Sequence, residues 1–147
     1  MHERYMAVAL EEAKKAEKLD EVPVGAIIVR DGIVVAKAHN MRETTRDATA
    51  HAELIAVRKA CEALDSWRLA DCEMYVTLEP CLMCSGAIIL SRIKKLYIGT
   101  MDPKSGAAGS LLNVFEDYWF HHKCEVEQGI LANECSKILK DFFKNKR

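Results

Sequence analysis

The stretch Glu79-Pro80-Cys81-Leu82-Met83-Cys84 carries two thiols three residues apart, directly behind a proline. Such a pair serves as a redox couple, a disulfide or half of a metal site. A redox couple needs the two sulfurs alone, whereas zinc needs three or four ligands drawn from Cys, His and carboxylates. The nearest further candidates are His51 and Glu53, in His51-Ala52-Glu53. Residues two apart on the flank of a helix point to different sides. At a helix N-terminus that constraint relaxes, because an ion lying off the end is within reach of both. Cys81 and Cys84, at i and i+3, share one face, and helix N-termini favour thiolates. His51, Cys81 and Cys84 as ligands leave a tetrahedral ion one open position, which marks a catalytic rather than a structural zinc. Thiolate ligands oppose the ionisation of a water, so a proton acceptor is wanted nearby. Glu53 is the candidate, acting first as base and then as acid. Glu79 is a rival for that role, although its place before Pro80 puts it in the turn.

The remaining cysteines do not complete the site. Cys61 lies on the helix that His51 opens, about 15 Å further along its axis. Cys72, Cys124 and Cys135 read as buried free thiols, the usual state of this residue type. Six cysteines in 147 residues are too sparse for a disulfide scaffold. The N-terminus interrupts its apolar stripe with acids and lysines, unlike a secretory signal, and reads as cytoplasmic. A permanent disulfide loses weight in that compartment. A lone Cys-x-x-Cys in an α/β protein still admits the redox reading.

The elements that must hold these groups follow from periodicity. Residues 3–19 place Met6, Ala9, Leu10, Ala13 and Ala16 at helical spacing. Residues 23–40 form two β-branched runs around Asp31-Gly32, a hairpin signal. Residues 49–66 read as a helix with Thr49 as its N-cap. Strands are expected at 72–78, 94–100 and 124–129, and helices at 81–92 and 131–146. Residues 101–110 read as a loop from their Pro and Gly content. The alternation predicts one α/β domain over residues 1–147, a helix–sheet–helix sandwich with a partly parallel sheet. Cys81 and Cys84 then fall where a strand ends and a helix begins, the ligand-binding end of such sheets. The helix at 82–92 is apolar on most sides through Leu82, Ala87, Ile88, Ile89 and Leu90. That surplus predicts cover by a second copy, as a homodimer.

Composition sets the outer bounds. The chain is 50% hydrophobic and 29% charged, ordinary for a folded globular domain. It has no apolar run of about 18 residues, so no membrane-spanning helix is expected. A formal net charge of −1 does not draw a nucleic acid to the molecule as a whole. A local basic patch would have to do so.

His51-Ala52-Glu53 followed by Pro80-Cys81-x-x-Cys84 resembles the zinc-dependent cytidine and nucleobase deaminases, whose signature is His-x-Glu with Pro-Cys-x-x-Cys. The segments at 23–29, 38–40, 101–114 and 128–143 extend the likeness over nearly the whole chain, toward the bacterial tRNA-specific adenosine deaminases. The resemblance implies the cytidine-deaminase type of sandwich with a mixed five-stranded sheet. It implies one Zn²⁺ per chain, a homodimer, and conversion of adenosine to inosine at the wobble position of a tRNA anticodon. His51, Cys81 and Cys84 match the zinc ligands, Glu53 the proton shuttle and Asn40 a residue lining the substrate pocket. Lys104, Lys140, Lys144, Lys146 and Arg147 are expected to contact phosphates, and Phe142 and Phe143 to stack on bases. His121 and His122 read as surface residues. The family's usual proline before Thr49 is Ala48 here, which predicts a looser loop into the zinc helix. Two other classes remain. A deaminase of a free base or nucleoside (guanine, cytosine or cytidine) shares the site and differs at its rim. A non-catalytic zinc or redox binding module would close the open position with a fourth ligand.

Overall fold

The computed structural model describes residues 1–116 and 122–146. Five strands form one sheet: β1 Gly25–Arg30, β2 Ile33–His39, β3 Cys72–Leu78, β4 Lys95–Thr100 and β5 Glu125–Gln128, in the order β2-β1-β3-β4-β5. β1 pairs antiparallel with both β2 and β3, while β3, β4 and β5 run parallel. The sheet is therefore mixed, as expected. Asp31 and Gly32 both adopt positive φ, 51° and 76°, the pair of left-handed residues that a tight hairpin turn requires.

Helices cover both faces. α1 His2–Lys18 and α5 Ala132–Lys144 lie on one side, and α3 Ala52–Leu64 and α4 Leu82–Leu90 on the other. The side-chain alternation of the strands sorts the two cores. Ala26, Ile28, Met74, Val76, Leu96 and Ile98 meet α3 and α4. Ile27, Val29, Tyr75 and Tyr97 meet α1 and α5. Gly25 is obligatory for the approach of α1, since a Cβ there would stand 2.0 Å from the Ala9 carbonyl oxygen.

The expected elements are all present, with ends moved by a few residues and a short helix, α2 Arg42–Thr45, added. Thr49 is not the N-cap of α3. His51 occupies that position, and Thr49 instead turns back to Asp47 through both its amide and its hydroxyl. Among the described residues no helix is long and apolar enough to cross a membrane.

Candidate active site

α3 and α4 begin side by side beyond the C-terminal end of β3, the central strand of the sheet. His51 and Cys81 hold their two N-cap positions in extended backbone, at φ −81° and −73°. Cys84 follows one turn inside α4. The His51 Nδ1 lies 3.7 Å from the Cys81 Sγ and 3.5 Å from the Cys84 Sγ. All the ligand atoms fall within 4.8 Å of one another. Zinc bonds of about 2.1 Å to nitrogen and about 2.3 Å to sulfur, at a tetrahedral angle, place N and S about 3.6 Å apart. The triangle thus has the size zinc needs. Among the described residues it is the one cluster of three or more such groups.

The electrostatics suit a cation. Cys81 is held at about 4, chiefly because the Cys84 thiol donates to its sulfur, with His51 adding to the effect. Cys84, sharing its proton with Cys81 and buried, is pushed far up. His51 is raised from 6.5 by its hydrogen bond with Cys81. Glu53, 4% exposed in the first turn of α3, is pushed up to about 7 by burial. A carboxyl near neutrality is poised both to take and to give a proton.

His51, Glu53 and Cys81 line the floor of a cavity of about 850 Å³, with Cys84 fully buried behind them. Asn40 is part of its wall, 7% exposed, and its Oδ1 accepts the Ala52 amide at 2.8 Å. Its carbonyl is thereby committed to orienting the start of α3. Lys104 lies on the wall formed by the 101–110 loop, and Lys140, Phe143 and Lys144 on the wall formed by α5. A smaller cavity of about 370 Å³, lined in part by Lys95, Phe115 and Lys123, contains none of these groups.

Several sequence expectations change. Phe142 is 8% exposed and packs into the core with its ring edge-on to Phe143, so it presents no face for stacking. Phe143, at 49% exposed, is the aromatic on the cavity. Lys146 lies off the cavity and pairs with Asp20 while resting over the Phe142 ring. His122 donates its Nε2–H to the Ile93 carbonyl oxygen at 2.8 Å and is not a cavity residue. His121 and Arg147 lie outside the described residues. Glu79 is no free acid. Its two oxygens accept the amides of Asp102, Ala108 and Ser110 and the Ser110 hydroxyl. These bonds outweigh its burial and hold it below the usual carboxylate range. Sequence reasoning missed Arg42, an exposed cation on the cavity rim. The available signal was the pair of arginines, Arg42 and Arg46, in the segment leading to His51.

A sandwich that brings His-x-Glu and Pro-Cys-x-x-Cys together at two helix N-termini has the site of a nucleobase-type deaminase. The chain belongs to the MafB19-like deaminase family, which it matches over residues 1–147. It is 48% identical to the tRNA-specific adenosine deaminase of Bacillus subtilis strain 168 over 145 residues, 99% of this chain and 90% of that protein. A solved structure from work on A-to-I editing by tRNA:A34 deaminases at the wobble position of transfer RNA superposes with a TM-score of 0.90, at 46% identity, covering 92% of this chain and 99% of that one. The guanine deaminase of Bacillus subtilis is more distant, at 31% identity and a TM-score of 0.68, covering 99% and 94% of the two chains.

Proposed function

We propose that this chain is a single-domain hydrolytic deaminase that converts adenosine to inosine at the wobble position of a tRNA anticodon, as a cytoplasmic homodimer carrying one zinc per chain. The observation that carries the chemistry is the His51–Cys81–Cys84 triangle, of tetrahedral size, beside the buried Glu53. Zinc, when bound there, supplies Lewis-acid activation of a water. Glu53 takes one proton from the attacking water and delivers it to N1 of adenine, then takes the second from the new C6 hydroxyl and delivers it to the departing amine, so that the C6–N bond breaks, ammonia leaves and inosine remains. Asn40, fixed by its bond to Ala52, orients the base.

The substrate class rests on the cavity. Arg42, Lys104, Lys140 and Lys144 ring it, opposed on its wall by Asp102. A chain with net charge −1 thus places a local group of cations where a phosphate backbone would run. The base must leave its stack to reach the floor, and a loop nucleotide does so most readily. The test is to compare turnover of an anticodon stem-loop, free adenosine, cytidine and guanine by following released inosine, uridine or xanthine. Hairpin adenosine is expected to be deaminated and the free compounds barely. Efficient turnover of guanine would overturn the RNA reading in favour of a free-base deaminase.

A further inference from the structure

We propose that Glu79 is the positioning residue that builds the 101–110 wall of the cavity and so sets the affinity for RNA, while taking no part in the chemistry. The substrate half of this proposal rests on the tRNA reading above. Residues 101–113 contain no helix or strand, only one isolated bridge from Ala108 to Asn113. Yet the segment passes a side of the cavity with Met101, Asp102, Lys104 and Ser105. The Asp102 carboxylate and a few backbone bonds shape it locally, and one side chain from outside the loop ties its two ends together. Glu79, 2% exposed, accepts the Asp102 amide at 2.8 Å on one oxygen, together with the Ser110 hydroxyl. The other oxygen accepts the Ala108 and Ser110 amides at 2.9 and 3.0 Å. A carboxylate offers about four acceptor positions, so both ends of the loop are tied and none remains for proton transfer. The middle of the loop closes over the same group. A Cβ on Gly106 would stand 2.2 Å from the Glu79 carboxyl carbon. The Ala107 amide adds a bond to the Pro80 carbonyl oxygen, at 2.9 Å. The turn that ends in Cys81 is therefore the turn that carries the loop, which links the metal ligand to the wall presenting Lys104.

Glutamine fits the space but meets amide donors with its own NH₂ group, so Glu79→Gln should free one end of the loop and keep the metal triangle. Gly106→Ala should push the loop off an intact carboxylate. Ser110→Ala removes one donor and is the mild variant, sound even if the others fold poorly. For each, zinc content, kcat and KM on an anticodon stem-loop, and amide exchange at Asp102, Ala108 and Ser110 are measured. The expected result is retained zinc, faster exchange at those amides, KM raised about tenfold or more for Glu79→Gln and Gly106→Ala and about threefold for Ser110→Ala, and kcat within about threefold. Lys104→Ala should raise KM in the wild type and add little in the Glu79→Gln background, because a displaced lysine has no contact left to lose. Loss of zinc, or a fall in kcat at unchanged KM, would overturn the proposal and return Glu79 to the chemical site. So would full additivity with Lys104→Ala, or unchanged exchange. If the wild type ignores the hairpin, the tRNA reading fails, and amide exchange still decides whether Glu79 holds the loop.

Discussion

His51 and Cys81 stand where Ser, Thr, Asp or Asn would ordinarily accept the first amides of a helix. Neither makes a side-chain cap, which leaves each helix short of an interaction worth about 0.5–2 kcal/mol. Their side chains converge on each other instead, which a fold selected for stability alone would not require. His51→Ala, Cys81→Ala and Cys84→Ala are expected to lose bound zinc by elemental analysis, whereas Cys61→Ser and Cys124→Ser keep it. Retained stoichiometric metal in any of the three would remove that residue from the triangle. Glu53→Gln should keep zinc and lose turnover by a factor on the order of 100 to 10,000, the usual worth of a positioned acid–base group. A variant with more than about a tenth of the wild-type rate would point to another shuttle. That these four residues meet was legible in the sequence, because ligand type and short spacing within each pair single them out. Glu79 was not. Its partners lie 23 to 31 residues away, and nothing local says that a carboxyl beside a Pro-Cys turn will be consumed by a distant loop. Which of Phe142 and Phe143 faces outward was equally closed, since adjacent helix positions differ only by the packing of α5.

The segment entering α3 shows how an element absorbs a change. Ala48 in place of proline suggests a loose loop, yet other bonds hold it. The Glu21 carboxylate, 1% exposed, accepts the Glu43 amide at 3.1 Å and the Thr44 amide and hydroxyl, each at 2.6 Å. Asp47 accepts the Thr49 amide and hydroxyl at 2.8 and 2.7 Å, and the Met41 amide closes the base of the loop onto the Ala50 carbonyl at 2.9 Å. Burial pushes the Glu21 carboxyl up, but the Thr44 and Glu43 bonds outweigh it and hold the group below its ordinary 4.5. A carboxylate with a depressed folded pKa contributes stability above its unfolded value, and that contribution is lost as pH falls through the folded one. Glu21→Gln should therefore lower the Tm at neutral pH and flatten the decline of Tm between about pH 5 and about pH 3. Parallel Tm profiles for variant and wild type would show that Glu21 contributes nothing to the loop. Periodicity revealed the long elements and the Asp-Gly hairpin, whose turn residues state their own geometry. It could not reveal α2, whose four residues make no periodic pattern, nor the displacement of Thr49 from the cap by Asp47.

At the scale of the molecule, two surfaces remain to be satisfied, one apolar and one cationic. Ile88 and Ile89 of α4 are buried in the core, but Leu82, Met83 and Leu90 are 57%, 37% and 65% exposed. Leu90→Glu should convert a sedimenting dimer into a folded monomer, and a wild type that sediments as a monomer at micromolar concentration would sink the dimer. The cationic surface gives the sharper test, because neighbouring lysines on one helix differ in what they touch. Lys140 and Lys144 reach the cavity, with Arg42 and Lys104 on other walls. Lys146, two residues on, is engaged by Asp20 and lies off the cavity. Each cation that neutralises a phosphate of a single-stranded segment contributes about 0.7 to the dependence of log affinity on log salt, through counterion release. Arg42→Ala, Lys140→Ala and Lys144→Ala should each raise the KM for an anticodon stem-loop and shallow its salt dependence by roughly that amount. Lys146→Ala should move neither. If Lys146→Ala matched Lys144→Ala in both, the phosphates would be held by the end of α5 rather than by the rim of the cavity, and the path proposed for the RNA would have to be redrawn.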